Sequence, residues 1–214
     1  MTQNEAFEMR GPAGRLEAVL IHPETPPVAA AVICHAHPLQ GGMMHFKVVF
    51  RAAKALQAKG LAALRFNFRG VGLSAGAHDH GVGEQDDVSA ALCELERRFP
   101  GLPLVLGGFS FGSVMALRVA ARDPRPGAVF ALGFPIASVR EPSFANAVTK
   151  PRLFIQGEHD RFGGREPISS FVHGLPEPRQ LHVIEGGDHF FTGHLDALQS
   201  TIESWAATRP WQSA

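Results

Sequence analysis

The stretch Pro103-Leu-Val-Leu-Gly-Gly-Phe-Ser-Phe-Gly-Ser-Val-Met-Ala-Leu117 constrains this chain more than any other. An apolar run of strand length, Leu104–Phe109, passes almost directly into an amphipathic helical pattern, Gly112–Arg122. Between them Gly108-Phe109-Ser110-Phe111-Gly112 fits the pattern G-x-S-x-G. So abrupt a change from strand to helix crowds the positions flanking the turn, and glycine at both flanks relieves the crowding. The serine then stands above the end of a sheet, at a helix N-terminus whose free N–H groups and positive dipole end favour an anion. Ser110 is therefore the candidate nucleophile, and the N–H of Phe111 a candidate oxyanion donor.

A second match to the pattern, Gly72-Leu73-Ser74-Ala75-Gly76, lacks both neighbours. It follows Arg69-Gly-Val and runs into Ala77-His-Asp-His-Gly, so it reads as a glycine-rich loop.

The remaining segments supply a sheet around the turn. Leu16–Ile21 reads as an edge strand, Val28–Cys34 as a strand buried on both faces, and Leu61–Phe68 as another strand. Val129–Leu132, Arg152–Gln156 and His182–Ile184 are shorter strands. Helical spacing appears over Phe46–Lys59, within Gly81–Phe99 and from Leu195 to Ala207. Strands alternating with helices imply an α/β fold, with a mainly parallel sheet of seven or eight strands covered on both faces. A length of 214 residues suits one domain, 1–214.

Composition narrows the class. Lys+Arg and Asp+Glu are both 20, and no basic run stands out, so no nucleic-acid partner is expected. No window approaches the ~20 apolar residues of a membrane span, and Met1–Arg10 lacks the apolar core of a signal peptide. Cys34 and Cys93 do not make a disulfide framework, which points to the cytoplasm. A homodimer stays open.

A serine needs a base to attack at neutral pH, and the base needs an orienting acid. Sheets that carry such a turn place these partners in the chain order serine, acid, histidine. Of the later histidines, His189 sits in a glycine loop directly after a strand, where such sites assemble. His182 falls within a strand, and His173 and His194 read as helix-face or cap residues. The acid belongs after the preceding strand, where Gln156-Gly-Glu-His-Asp offers Asp160 first and Glu158 second. Asp188 adjoins His189 and does not readily turn back onto its ring.

The loop after Val28–Cys34, His35-Ala-His-Pro-Leu-Gln-Gly-Gly, should supply a second backbone donor. Pro38 has no N–H, which leaves His37 first and Leu39 second. The His35 side chain is expected to bond loop backbone. His35, His37 and His45 lack a nearby acidic partner, so no metal is expected, and no cofactor. The sequence has no tyrosine, which excludes a tyrosine hydroxyl from the oxyanion hole. Arg65, Asn67, Arg69 and Glu84 read as a buried network bracing the loops. Residues 133–151 carry Pro135, Pro142 and Pro151, so they hold a helix or two and no lid domain. An open, shallow site lined by Phe109, Phe111, Phe134 and Phe190 follows.

These motifs together resemble the small, lidless bacterial α/β-hydrolases related to the dienelactone-hydrolase branch. The carriers are His35–Met44, Leu64–Ser74, Gly83–Asp87, Gly107–Gly112, Gln156–Asp160 and Gly187–Phe191, in order along nearly the whole chain. The resemblance implies a cytoplasmic esterase-like hydrolase with Ser110, Asp160 and His189 on the triad positions. Dienelactone hydrolases proper use a cysteine nucleophile where this chain has Ser110, so their substrate does not carry over. The leading expectation is hydrolysis of short-chain carboxylic esters, with a small-molecule ester as partner. Acyl transfer or amide hydrolysis by the same residues is one alternative, and a binding module that kept the fold without catalysis is another.

Overall fold

Eight strands form one twisted sheet in the order β1-β2-β4-β3-β5-β6-β7-β8. The computed structural model describes residues 4–212. The strands are β1 (Asn4–Gly11), β2 (Gly14–Ile21), β3 (Ala29–Cys34), β4 (Leu61–Phe66), β5 (Leu104–Phe109), β6 (Pro126–Leu132), β7 (Arg152–Gly157) and β8 (Arg179–Ile184). β2 runs antiparallel to both β1 and β4, and every pairing from β4 to β8 is parallel. The helices are α1 (Lys47–Ala58), α2 (Gly83–Arg98), α3 (Phe111–Ala120), α4 (Arg165–His173) and α5 (Leu195–Ala207).

The central strands are mostly apolar because helices cover both faces. Every residue of β3, β4, β5 and β7 is buried. One face packs on α1 and α5 through Val49, Ala52, Leu56, Leu198, Ile202 and Trp205. The other packs on α2, α3 and α4 through Val88, Leu92, Leu95, Leu117, Ile168 and Val172. Each large core side chain so buried contributes roughly 1.5–3 kcal/mol.

Two elements differ from the sequence reading. β1 makes the sheet edge, so Leu16–Ile21 is an inner strand, paired on both sides. Arg98 lies 3.9 Å from the Phe7 ring centroid and pairs with Glu5, fastening that edge to α2. No range was expected for helix α4, which ends at His173. The 133–151 connection holds two short 3-10 turns, Ile136–Ser138 and Pro142–Ala147, and builds no lid. No helix among the described residues is long and apolar enough to cross a membrane.

The topology opens the site. β3 pairs with β4 on one side and β5 on the other, so the loops after β3 and β5 leave the sheet in diverging directions. The crevice between them, at the C-terminal strand ends, is where ligands bind in sheets of this kind.

Candidate active site

Ser110 occupies the N-cap of α3 with φ 54° and ψ −120°. A non-glycine residue rarely adopts this conformation, which costs about 1–3 kcal/mol and persists only where its surroundings impose it. Those surroundings are backbone. A Cβ on Gly108 would lie 2.5 Å from the carbonyl carbon of Gly112, and one on Gly112 would lie 2.4 Å from the Cys34 carbonyl oxygen. The Ser110 N–H donates to the Leu132 carbonyl of the next strand, at 2.9 Å. Strand, turn and helix thus meet with no room for side chains at either glycine.

The loops after β7 and β8 bring two more groups to the serine. His189 Nε2 lies 3.0 Å from Ser110 Oγ, and His189 Nδ1 lies 2.7 Å from Asp160 Oδ2. Asp160 also accepts from Gln156 Nε2 at 2.8 Å and, through Oδ1, from the Phe162 N–H at 2.8 Å. The two loops touch so closely that a Cβ on Gly157 would meet the Asp188 carbonyl oxygen at 2.3 Å. Phe109, Phe162 and Phe190 surround the imidazole, with centroid separations of 5.0, 4.6 and 5.2 Å. The ring therefore has one orientation, carboxylate on one nitrogen and hydroxyl on the other.

The alternatives for these roles are engaged elsewhere. Glu158 accepts from the Gly186 N–H and from Arg165 Nε, contacts that hold its carboxyl below the usual range. Asp188 accepts from the N–H groups of Phe190 and Thr192, shaping the turn that carries His189. Ser74 is buried in its loop, accepting from the Glu17 N–H and donating to the Asn67 carbonyl. His182 is exposed on the edge strand, His173 ends α4 and His194 caps α5.

The loop after β3 faces Ser110 through His37. Leu39, the second choice for an oxyanion donor, is corrected: its N–H donates to the His37 Nδ1, 3.2 Å away. Burial lowers the His37 pKa, and its Nδ1 is the acceptor of that N–H. Below it, His35 spans the ends of β3 and β4. Its Nδ1 donates to the Ala36 carbonyl at 2.6 Å and its Nε2 accepts from the Phe68 N–H at 3.0 Å.

The expected polar brace is also present. Arg69 forms a forked pair with buried Asp87, and Glu84 accepts from the N–H groups of Asp79 and Gly81. Asn67 bridges the Met44 N–H to Glu17, while Arg65 donates to the Met44 carbonyl. Among the described residues no three His, Cys, Asp or Glu side chains converge as a metal site.

A cleft of 540 Å³ opens beside Ser110, walled by His37, Phe111, Val114, Met115 and Phe162. The aromatic lining expected from the sequence is corrected here. Phe109 is fully buried, stacked on Phe46 beneath His189. Phe134 is fully buried because Gly133, at φ 53°, turns the chain downward and stacks its ring on Phe171. Phe190 is 42% exposed but packs on His189 outside the cleft lining. Of the four, Phe111 alone lines the cleft. Gln156 and Phe162 went unnoticed: a glutamine at a strand end carries no motif, and Phe162 is one aromatic among 16 phenylalanines.

A serine at a strained strand–helix turn, facing a histidine and an acid from the next two strand ends, defines an α/β serine-hydrolase architecture. The chain matches the family model described as an alpha/beta hydrolase domain over residues 29–208, and it belongs to that family. It is 34% identical over 208 residues to an uncharacterized protein of Rickettsia prowazekii (strain Madrid E), covering 92% of this chain and 87% of that one. An alpha-beta serine hydrolase homologue from Coxiella burnetii superimposes with a TM-score of 0.87 at 37% identity, over 95% of this chain and 97% of that chain. A serine hydrolase without lid from Xanthomonas campestris does so with a TM-score of 0.87 at 33% identity, over 98% and 95%.

Proposed function

We propose that the chain is a serine esterase that hydrolyses short-chain carboxylic esters through an acyl-enzyme. The observation that carries this reading is the continuous hydrogen-bonded series from Asp160 through His189 to Ser110, at 2.7 and 3.0 Å, opening onto a cleft. Ser110 Oγ attacks the ester carbonyl while its proton passes to His189 Nε2. Asp160 holds the Nδ1–H tautomer and stabilises the imidazolium. The carbonyl oxygen, now an anion, is met by the N–H of Phe111 at the start of α3 and the N–H of His37. The imidazolium returns its proton to the departing alkoxide, leaving Ser110 acylated. Water, deprotonated by His189, then releases the acid and restores the serine.

Short acyl groups suit the cleft because no lid covers it. A long chain would leave most of its methylenes in water, and each gains ~0.8 kcal/mol only when buried. The test is kcat/KM on 4-nitrophenyl acetate, butyrate, octanoate and palmitate, below and above micelle formation. Acetate or butyrate should lead, with no jump in rate at micelle formation. A preference for octanoate or longer, or such a jump, would overturn the short-chain reading.

A further inference from the structure

The cleft beside Ser110 is lined by a cation that the triad does not employ. Val114 and Arg118, four and eight positions after Ser110, lie on one face of α3 and line the cleft. Eight helical residues rise about 12 Å. A helical side chain leans toward the N-terminus, so the guanidinium returns to roughly 6–9 Å from the hydroxyl. Val114 and Met115 make the floor of that interval apolar.

Arg118 is unlike the arginines beside it. Arg122 pairs with Asp86, and Arg125 with Asp123. Arg118 has no carboxylate partner among the described residues, and its Nε is enclosed with no hydrogen-bond acceptor. Its guanidinium lies over the Phe144 ring, 5.0 Å from the centroid. Arg140 lines the same cleft, and Glu141 is the single carboxylate among the lining residues, exposed and paired with neither arginine. Arg118 lines the cleft with no ion-pair partner of its own there, and a carboxylate is the acceptor whose geometry fits a guanidinium.

We infer that the cleft selects esters bearing a free carboxylate roughly five to seven bonds from the scissile carbonyl, a span of about 6–9 Å at ~1.2 Å per bond. Arg118 holds that carboxylate, Arg140 adds charge from the rim, and the intervening methylenes lie on Val114 and Met115. This inference rests on the serine-hydrolase reading of Ser110. The competing role for Arg118 is to pin the 142–147 turn through Phe144, which would move thermal stability and not charge preference.

The experiment measures binding to the Ser110→Ala protein by titration followed by NMR. The probes are monomethyl adipate, with its carboxylate in the acyl half, 5-acetoxypentanoate, with its carboxylate in the alcohol half, and neutral dimethyl adipate. At least one carboxylate should bind ten times more tightly than dimethyl adipate. Arg118→Met in that background should remove the difference, and Arg118→Lys should keep part of it. Arg118→Gln replaces the methionine variant if its melting temperature collapses. Equal binding of all three probes, no binding of either carboxylate, or a preference that survives loss of the Arg118 charge would overturn the inference. Turnover of 4-nitrophenyl acetate by wild type is measured in parallel. Its absence would sink the esterase reading; turnover without carboxylate preference would sink this inference alone.

Discussion

The backbone at Ser110 makes a prediction separate from catalysis. Ser110→Ala and Ser110→Gly both remove the hydroxyl and its 3.0 Å contact with His189, so that loss cancels between them. They differ in the Cβ, which alanine keeps at φ 54° and ψ −120°. Relieving that conformation is worth about 1–3 kcal/mol to glycine. Glycine gives back about 0.4–1 kcal/mol through the greater freedom of its unfolded chain. Ser110→Gly should therefore be the more stable variant by about 0.5–2 kcal/mol. For a chain of this length each kcal/mol moves Tm by about 2–4 °C, so the difference is about 1–8 °C. Paired calorimetric melts at one pH decide it. Equal melting temperatures, or a more stable alanine variant, would show that the serine is not held under strain.

Three further outcomes are expected. Asp160→Asn should lower kcat for 4-nitrophenyl acetate by about 10³–10⁴-fold, whereas Glu158→Gln, whose carboxylate only ties Arg165 to the Gly186 turn, should stay within about threefold; a near-wild-type Asp160→Asn would remove that residue from the mechanism. Ser74→Ala should retain ester turnover yet lose about 1–3 kcal/mol in urea melts, because the Glu17 N–H and Asn67 carbonyl lose their bridge; a dead but stable variant would contradict this. Burial lowers the His35 pKa to about 4, so between that value and the unfolded value of about 6.5 the unfolded chain binds a proton that the folded chain does not. The stabilisation is complete above about pH 6.5 and is lost as pH falls toward 4, so wild type should lose on the order of 2–3 kcal/mol more than His35→Gln over that range; parallel losses would acquit His35.

What the sequence made legible was whatever a local rule dictates. β5 and α5 have the expected limits because the apolar run of Leu104–Phe109 and the helical spacing of Leu195–Ala207 are uninterrupted. The true start of β6 was hidden by Pro126-Gly127, which reads as a turn but pairs at the strand's first position. Helix α4 was obscured by Pro167, tolerated in its first turn, and by burying only Ile168 and Val172. β1 is hard to see because only Met9 of it is buried, as an edge strand allows.

The site divides the same way. Ser110 was legible because its turn needs glycines at fixed positions, and His189 and Asp160 followed from chain order. The aromatic lining was not, because a phenylalanine gives no sign of whether it points into a cleft or a core. Phe134 goes down into the core because of one left-handed glycine, Gly133. Gln156 secures Asp160 through an amide that no pattern distinguishes from a solvent-facing one. Arg118 falls on the cleft face of α3 only once the helix is set against the 135–141 segment.

The central claim is that Ser110 is an activated nucleophile. Incubation with a fluorophosphonate, followed by mass spectrometry of the digested protein, tests it most directly. One phosphonyl adduct is expected, on the peptide containing Ser110, absent from Ser110→Ala and strongly slowed in His189→Ala. An unlabelled folded protein, or an adduct on Ser74, would contradict the account.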